Sequence, residues 1–158
     1  MRIIIQGLAR IKIRTWVDND QYLQALVDIH KQEDEGITPE MQSDMDTLRK
    51  MGAELIEKSP NKPAEASFLV SSIHDPGLLA DLCTSNCQNA EQEDRQEVLE
   101  CWDIAERLKK AIEMVKKEML SLELSNTIDS HAKSELDKAH KEVILRERMK
   151  AIRKEPVS

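Results

Sequence analysis

Two hydrophobic periods follow one another along the chain. Near the amino terminus, β-branched residues form a short run at 3–5 and then alternate with charged residues over 11–17, which predicts two strands. A turn at 6–7 is expected to join them. The segment 22–29 fits a strand or a helix, and we favour a third strand because it would follow a hairpin. Residues 1–31 are therefore interpreted as a partial β subdomain.

The predicted strands form too small a sheet to be stable alone. A second turn at 18–20 precedes the third strand, so the segment offers two or three strands and no more. Such a sheet is marginal in water, and a hairpin that starts at residue 2 has no partner for its outer edge. We expect these strands to belong to a larger sheet.

Helical spacing begins after an acidic linker at 32–36. Thr38 and Pro39 form an N-cap followed by proline in the first helical position, and prolines at 60 and 63 are expected to break this helix. Residues 37–102 are therefore expected to form a small helical bundle. The predicted helical positions are Met41, Met45, Leu48 and Leu55; Phe68, Leu69 and Ile73; Leu78, Leu79 and Leu82 after Asp75 and Pro76; and Val98, Leu99 and Trp102.

The last third, residues 103–155, is predicted to be one long helix. Asp103 and Glu106 have the spacing of a capping box, and neither Gly nor Pro occurs from Leu78 to Glu155. An unbroken helix would be roughly 78 Å long at about 1.5 Å per residue, although the polar stretch 125–130 makes a kink plausible. Its coiled-coil-like stripe consists of Ile104, Leu108, Ile112, Val115, Met119 and Leu122. The predicted fold class is mainly α, with a short β-hairpin at the amino terminus.

Composition limits the classes of function. With 3% aromatic residues and a net charge of -7, the chain has neither a base-stacking platform nor an overall basic surface, so we expect no nucleic-acid binding. No eighteen apolar residues run together, and no membrane span is expected. Cys83, Cys87 and Cys101 are odd in number, which favours free thiols in a reducing compartment.

Candidate chemistry is sparse. Cys83 and Cys87 lie four residues apart with His74 nearby, so a metal-dependent enzyme is one hypothesis. Three candidate ligands without a fourth, on a helix that needs apolar residues, favour buried thiols instead. The four glycines match no phosphate-binding loop, and no pair of carboxylates stands out among 30. We expect no catalytic residue, no cofactor and no metal ion.

The basic carboxyl end is the strongest candidate for partner contact. Val143, Leu145, Met149 and Ile152 are apolar positions among Lys and Arg, typical of a helix that meets an acidic partner or a membrane surface. The alternative is a helix end whose cations complement the macrodipole. We favour partner contact because little chain remains downstream to cover these residues, and Trp16 is a further candidate.

Four motifs resemble the amino-terminal region of the Lon family of ATP-dependent proteases. They are RIIIQGLAR at 2–10, IHDPGLLAD at 73–81, QEVLE at 96–100 with ERL at 106–108, and ILRERMKAIRKE at 144–155. Their order and distances match the family over most of the chain. The polar segment 85–91 departs from the family pattern, and Pro156 stands where the family continues, so a helix end is expected there.

The resemblance implies a function. It implies the tail of a β-rich subdomain, a helical bundle and a long helix, with the ATPase and Ser-Lys protease modules located downstream. The implied role is non-catalytic: recognition of unfolded or damaged protein substrates and support of assembly. The resemblance also implies self-association, because the family forms a homo-oligomeric ring, and a location in the bacterial cytoplasm rather than the mitochondrial matrix. The alternative is a stand-alone adaptor or regulator that pairs through its coiled-coil-like stripe.

Overall fold

The computed structural model describes residues 1–31, 35–61 and 65–154. Most of the predicted acidic linker and the prolines at 63 and 156 lie outside these residues. The chain divides into two compact units, Met1–Glu118 and Met119–Ser158. The elements are β1 (Ile11–Val17), β2 (Gln24–Ile29), α1 (Pro39–Lys58), α2 (Ala66–Ser72), α3 (Pro76–Ser85), α4 (Gln92–Glu100) and α5 (Ile104–Lys154). The predicted fold class is confirmed, whereas the three-part division at 1–31, 37–102 and 103–155 stays a prediction.

The β-hairpin consists of the second and third predicted strands and not of the first and second. β1 pairs antiparallel with β2 across the turn predicted at 18–20, where the Asn19 side-chain oxygen accepts a hydrogen bond from the Gln21 N–H at 3.1 Å. The strand predicted at 3–5 is wrong: these residues are exposed and form no strand. The turn predicted at 6–7 therefore joins no strands. The interpretation of 22–29 as a strand is confirmed, because β2 is the partner that β1 requires.

Three helices begin where the sequence places an N-cap. In each, the cap side chain accepts a hydrogen bond from the backbone N–H three residues later: Thr38 at 3.2 Å, Asp75 at 2.6 Å and Asp103 at 2.8 Å. Proline follows each of the first two caps in the first helical position, where its missing N–H costs nothing. The starts of α1, α3 and α5 are therefore set by local chemistry.

Side chains from α1, α2 and α3 form most of the core. The predicted face of α1 is confirmed, but that of α2 is wrong: Phe68 is 75% exposed and Leu69 is also exposed, whereas Val70 is buried. The reason is that α2 packs against Gly52 of α1 through Val70, whereas Phe68 and Leu69 project from other sides of α2. In α3, Leu79 is buried and Leu78 is exposed. The largest fully buried side chains are Met45, Leu48, Leu55, Val70, Leu79, Cys83, Cys87, Leu108 and Val115.

Helix α5 runs without interruption through 125–130, so the kink considered there is absent. Within that stretch the Thr127 hydroxyl donates to the carbonyl oxygen of Glu123 at 2.9 Å, so it bonds within the helix and does not compete with it. Leu108, Ile112 and Val115 of the predicted stripe are buried, and the described side chains from residue 123 onward are exposed. None of the described helices has an apolar stretch long enough to cross a membrane.

Replacement of Gly52 by alanine tests the α1–α3 contact. A methyl group on Gly52 would lie 2.9 Å from the Cys83 sulfur and 3.4 Å from a Val70 methyl. Ala normally stabilises a helix interior by about 1 kcal/mol relative to Gly. Here we expect Gly52→Ala to lower the free energy of unfolding by roughly 1–2 kcal/mol, because the steric overlap of the new methyl group with Cys83 outweighs the higher helix propensity of alanine. Urea denaturation followed by circular dichroism measures the change.

The Cys83→Ala variant supplies the control, since it removes the sulfur that the new methyl would meet. The double variant Gly52→Ala, Cys83→Ala should be more stable than the sum of the two single effects predicts, because the methyl then occupies the vacated space. Strict additivity of the two changes would contradict close packing at this position.

Candidate functional site

The carboxylate of Asp81 joins the hairpin to the helices within the first compact unit. Arg10, one residue before β1, donates through Nη1 and Nη2 to the two Asp81 oxygens at 2.8 and 2.7 Å. Arg10 Nε also donates to the carbonyl oxygen of Leu99 at 3.1 Å, so one guanidinium reaches both α3 and α4. This bidentate geometry is the strongest form of arginine–carboxylate pairing. The hairpin is thereby attached at its base.

A second guanidinium faces the same carboxylate. Arg107 in α5 lies 3.9 Å from Asp81, and its side chain is only 3% exposed. Arg107 also donates through Nε to the carbonyl oxygen of Cys101 at 2.9 Å. Burial lowers the pKa of Arg107, the positive charge of Arg10 lowers it further, and Asp81 opposes both effects. The hydrogen bonds that Arg10 donates to Asp81 raise the pKa of Arg10. One carboxylate therefore compensates two nearby positive charges.

A ring contact supports the same junction. His30 follows β2, and its ring centroid lies 4.5 Å from that of Trp102, with 34° between the ring planes. The His30 N–H donates to the carbonyl oxygen of Arg10 at 2.9 Å, which closes the open end of the hairpin. Both ends of the hairpin's base are thus held beside the helices, by an ion pair on one strand and a ring contact on the other.

A β-bulge gives the hairpin one apolar face. The register shifts between Ile13 and Thr15, so Arg14 has no direct partner on β2. In a regular strand, Trp16 and Ile13 would lie on opposite faces of the hairpin because they are three positions apart. The bulge adds one residue between them, so both side chains lie on the same face. Directly opposed residues share a face. The apolar hairpin face consists of three such pairs: Ile11 with Ile29, Ile13 with Val27, and Trp16 with Ala25.

The apolar hairpin face is open to solvent. Trp16 is 62% exposed, and every residue of β1 is exposed. The opposite face is more polar and includes an ion pair between Arg14 Nε and an Asp28 oxygen at 2.9 Å. A contiguous exposed apolar surface is characteristic of an interaction site. Trp16 was a predicted contact residue, whereas its neighbours on this face were missed because a bulge cannot be read from alternation alone.

The other predicted contact residues lie together on α5, in the second compact unit. Val143, Leu145, Met149 and Ile152 are all exposed, with Ile152 the most exposed at 71%. Leu145, Met149 and Ile152 follow one another at spacings of four and three residues, so they share one side of the helix. Trp16 belongs to the first unit.

The cysteine positions favour packing over chemistry. Cys83 and Cys87 are buried free thiols, while His74 is exposed. Burial raises the pKa of each thiol to about 12, so both stay protonated at neutral pH. Among the residues that the structure describes, no group of three or more His, Cys, Asp or Glu side chains is arranged to hold a metal ion.

Buried Glu118 organises the polar loop after α3. Its carboxylate accepts hydrogen bonds from the backbone N–H groups of Gln88 and Asn89 at 3.0 and 3.1 Å, and from the Asn89 side chain at 3.1 Å. Arg95 donates to the carbonyl oxygen of Cys87 at 2.7 Å. Glu118 and Arg95 therefore hold the polar segment 85–91, which departs from the family pattern in sequence, by hydrogen bonds to its backbone.

A protein-family model matches the part of the chain that contains the hairpin and the bundle. The model of the ATP-dependent protease La (LON) substrate-binding domain matches residues 1–117. The chain belongs to the Lon substrate-binding domain family. The match covers the hairpin, the bundle and the start of α5, and the resemblance inferred from the four motifs is confirmed.

Lon proteases of several bacteria are similar over nearly the whole chain. Lon protease 2 of Myxococcus xanthus is 38% identical over 153 residues, which is 97% of this chain and 18% of the relative. Lon protease of Anaeromyxobacter dehalogenans is 37% identical over the same coverage, and that of Dictyoglomus thermophilum is 34% identical over 155 residues. The chain spans about a fifth of the length of these relatives.

The Lon motifs acquire a structural explanation. Arg10 and Asp81 are the last residues of two motifs, and Arg107 is the middle residue of a third. All three meet at the junction described above. In this Lon substrate-binding domain the motifs therefore serve attachment of the hairpin to the helices.

Loss of the Asp81 charge should loosen this junction. We expect Asp81→Asn to lower the free energy of unfolding by roughly 2–4 kcal/mol, because two arginines then face each other without a carboxylate. The matched control is Asp28→Asn, which removes an ion pair whose side chains are 70% and 43% exposed, and should cost less than about 1 kcal/mol. Urea denaturation measures the free energy of unfolding of both variants. Equal losses in the two variants would contradict a stabilising role of Asp81 between the hairpin and the helices.

The thiols should be protected from alkylation. With pKa values of about 12, Cys83 and Cys87 remain neutral at pH 10, where exposed thiols are largely ionised and reactive. Iodoacetamide at pH 10 should therefore modify them only in denaturant, as read by peptide mass spectrometry. Because folding raises these pKa values, their contribution to stability is complete below about pH 9 and is lost progressively towards pH 12. Rapid modification of the folded chain would contradict their burial.

Proposed function

We propose that this chain is a non-catalytic client-binding module of ATP-dependent proteolysis, and that the apolar hairpin face binds unfolded or damaged protein segments. The observation that carries the proposal is the exposure of this face inside the region matched by a substrate-binding domain family. Peptide hydrolysis and ATP-driven unfolding are assigned to other modules of a Lon-type protease. The proposed setting is the bacterial cytoplasm, which the free thiols favour.

The chemistry of this face suits clients without a common sequence. Unfolded proteins expose apolar side chains that are buried in the native state, and the hydrophobic effect between such surfaces is non-directional. Ile11, Ile13, Val27 and Ile29 supply aliphatic surface, and Trp16 adds a large, rigid ring. A shallow apolar surface with few polar groups therefore selects for unfolding rather than for sequence.

For the second unit, which lies outside the residues that the family model matches, we propose a role in assembly. Leu145, Met149 and Ile152 form an exposed stripe flanked by basic residues on α5. Exposed apolar positions at spacings of four and three are typical of helix-in-groove or helix-pairing contacts. We assign the client to the hairpin and a protein partner to α5.

Serine substitutions on the two faces of the hairpin test the client-binding proposal. Val27 lies on the apolar hairpin face, while Leu26, its neighbour, lies on the opposite face and is at least as exposed. We expect Trp16→Ser and Val27→Ser to weaken binding of a fluorescein-labelled, reduced and carboxymethylated protein by about 5- to 10-fold each, since each removes roughly 1–1.4 kcal/mol of apolar contact. Fluorescence anisotropy gives the dissociation constants.

Leu26→Ser is the matched control, because it makes a similar change on the same strand without touching the apolar face. It should leave the dissociation constant within a factor of two. Equal weakening by Leu26→Ser and Val27→Ser, or binding unaffected by any of the three variants, would contradict the assignment. Circular dichroism of each variant verifies that the fold is retained.

A further inference from the structure

The hydrogen-bond pattern of the hairpin determines which backbone groups point outward from β2. The His30 N–H donates to the carbonyl oxygen of Arg10 at 2.9 Å. These two residues flank the directly opposed pair of Ile11 and Ile29. In an antiparallel ladder, a pair flanked in this way makes no hydrogen bonds of its own, and its N–H and C=O groups point away from the partner strand. The N–H and C=O of Ile29 therefore point to the outer edge of β2.

Three residues of β2 share this outward direction. Alternation along the strand repeats it at every second residue, so the outward groups belong to Ala25, Val27 and Ile29. Their side chains are the ones that β2 contributes to the apolar hairpin face. In the part of the chain that the structure describes, no backbone group forms a hydrogen bond with these outward groups. The same three residues therefore present apolar side chains and unpaired backbone groups.

The outer edge of β2 suits a further strand better than that of β1. β1 carries the bulge at Arg14 and a second cation at Lys12, and bulges and edge charges both hinder strand addition. β2 has six residues, Gln24–Ile29, without a bulge or a proline. Its single charged side chain, that of Asp28, lies on the opposite face in the ion pair with Arg14. The edge of β2 is therefore open beside an apolar surface.

We propose that the client binds as an extended strand, added antiparallel to the outer edge of β2. This inference rests on the client-binding function proposed above and specifies the conformation that is bound. In an antiparallel pair, a client residue that exchanges hydrogen bonds with Val27 also places its side chain on the same face as Val27. Every second client residue then makes both contacts. The preferred client is an unfolded, proline-free segment in which apolar residues alternate with residues of any kind.

Parallel addition would separate the two kinds of contact. Client residues whose N–H points towards β2 would then lie opposite Leu26 and Asp28, with their side chains on the polar face. Antiparallel pairing is also the more stable per residue.

An unfolded polypeptide fits this edge because it offers free backbone groups together with exposed apolar side chains. In a native protein the backbone groups are already paired within secondary structure. Main-chain hydrogen bonds supply affinity that does not depend on the client's sequence, as in other cases of strand addition. Strand addition therefore agrees with clients that share a conformation and no sequence.

N-methylation of a client peptide tests strand addition to the intact chain. The probe is a fluorescein-labelled peptide of alternating valine and threonine with lysines at both ends. Methylation of two valine nitrogens removes donors to β2 and should weaken binding about 10-fold or more by fluorescence anisotropy. Methylation of two threonine nitrogens is the matched control, since these N–H groups point away from β2, and should change the dissociation constant by less than about twofold.

Amide exchange of the chain gives a second measurement at single residues. Saturation with the reduced and carboxymethylated protein should slow exchange of the outward Val27 N–H by about 10-fold or more, whereas the Asp28 N–H, which points towards β1, should change by less than about twofold.

Three outcomes would overturn strand addition: equal affinities of the three peptides, selective weakening by the threonine methyl groups, or unchanged exchange at Val27 in the saturated complex. Client binding at the apolar hairpin face would survive each of them if Trp16→Ser and Val27→Ser still weaken binding of the unfolded protein. Loss of that response to the serine variants would contradict the proposed function itself.

Discussion

The Asp81 carboxylate is the constraint on which the hairpin's position depends. It accepts two hydrogen bonds from Arg10 and faces the nearly buried Arg107, so strand, bundle and long helix converge on one charge. A partly buried guanidinium is tolerated only when its charge is compensated, which makes the three residues interdependent. Since each belongs to a separate family motif, the spacing of those motifs along the chain reflects a single contact in space.

Attachment by polar groups has a functional consequence. The buried apolar core consists of side chains from the helices and from the loops that connect them, while β1 contributes no buried residue. Because Arg10, His30 and Trp102 hold the hairpin at its base, its apolar face is not needed for packing against the helices. That face remains available for a partner, and the bulge at Arg14 concentrates Ile13 and Trp16 on it.

Local signals predicted most of the fold, and long-range contacts account for the errors. N-caps at Thr38, Asp75 and Asp103 could be read from the sequence because capping involves neighbours three residues apart. The apolar run at 3–5 predicted a strand that does not form, since a strand needs a partner elsewhere in the chain. The exposure of Phe68 follows from the approach of two helices at Gly52, which a single helix pattern does not specify. Trp16 was identifiable as an isolated candidate, but its apolar face required the register.

The proposed contact between an unfolded client and the apolar hairpin face can be tested with a single fluorophore. The chain has two tryptophans, so Trp102→Phe leaves Trp16 as the single indole probe. A tryptophan-free protein kept unfolded by reduction and carboxymethylation is titrated against this variant, and Trp16 emission and its quenching by acrylamide are recorded. Contact with the unfolded protein should shift Trp16 emission to the blue and reduce its quenching severalfold, and the same protein in its native state should cause no response. Binding that leaves both signals of Trp16 unchanged would contradict this contact.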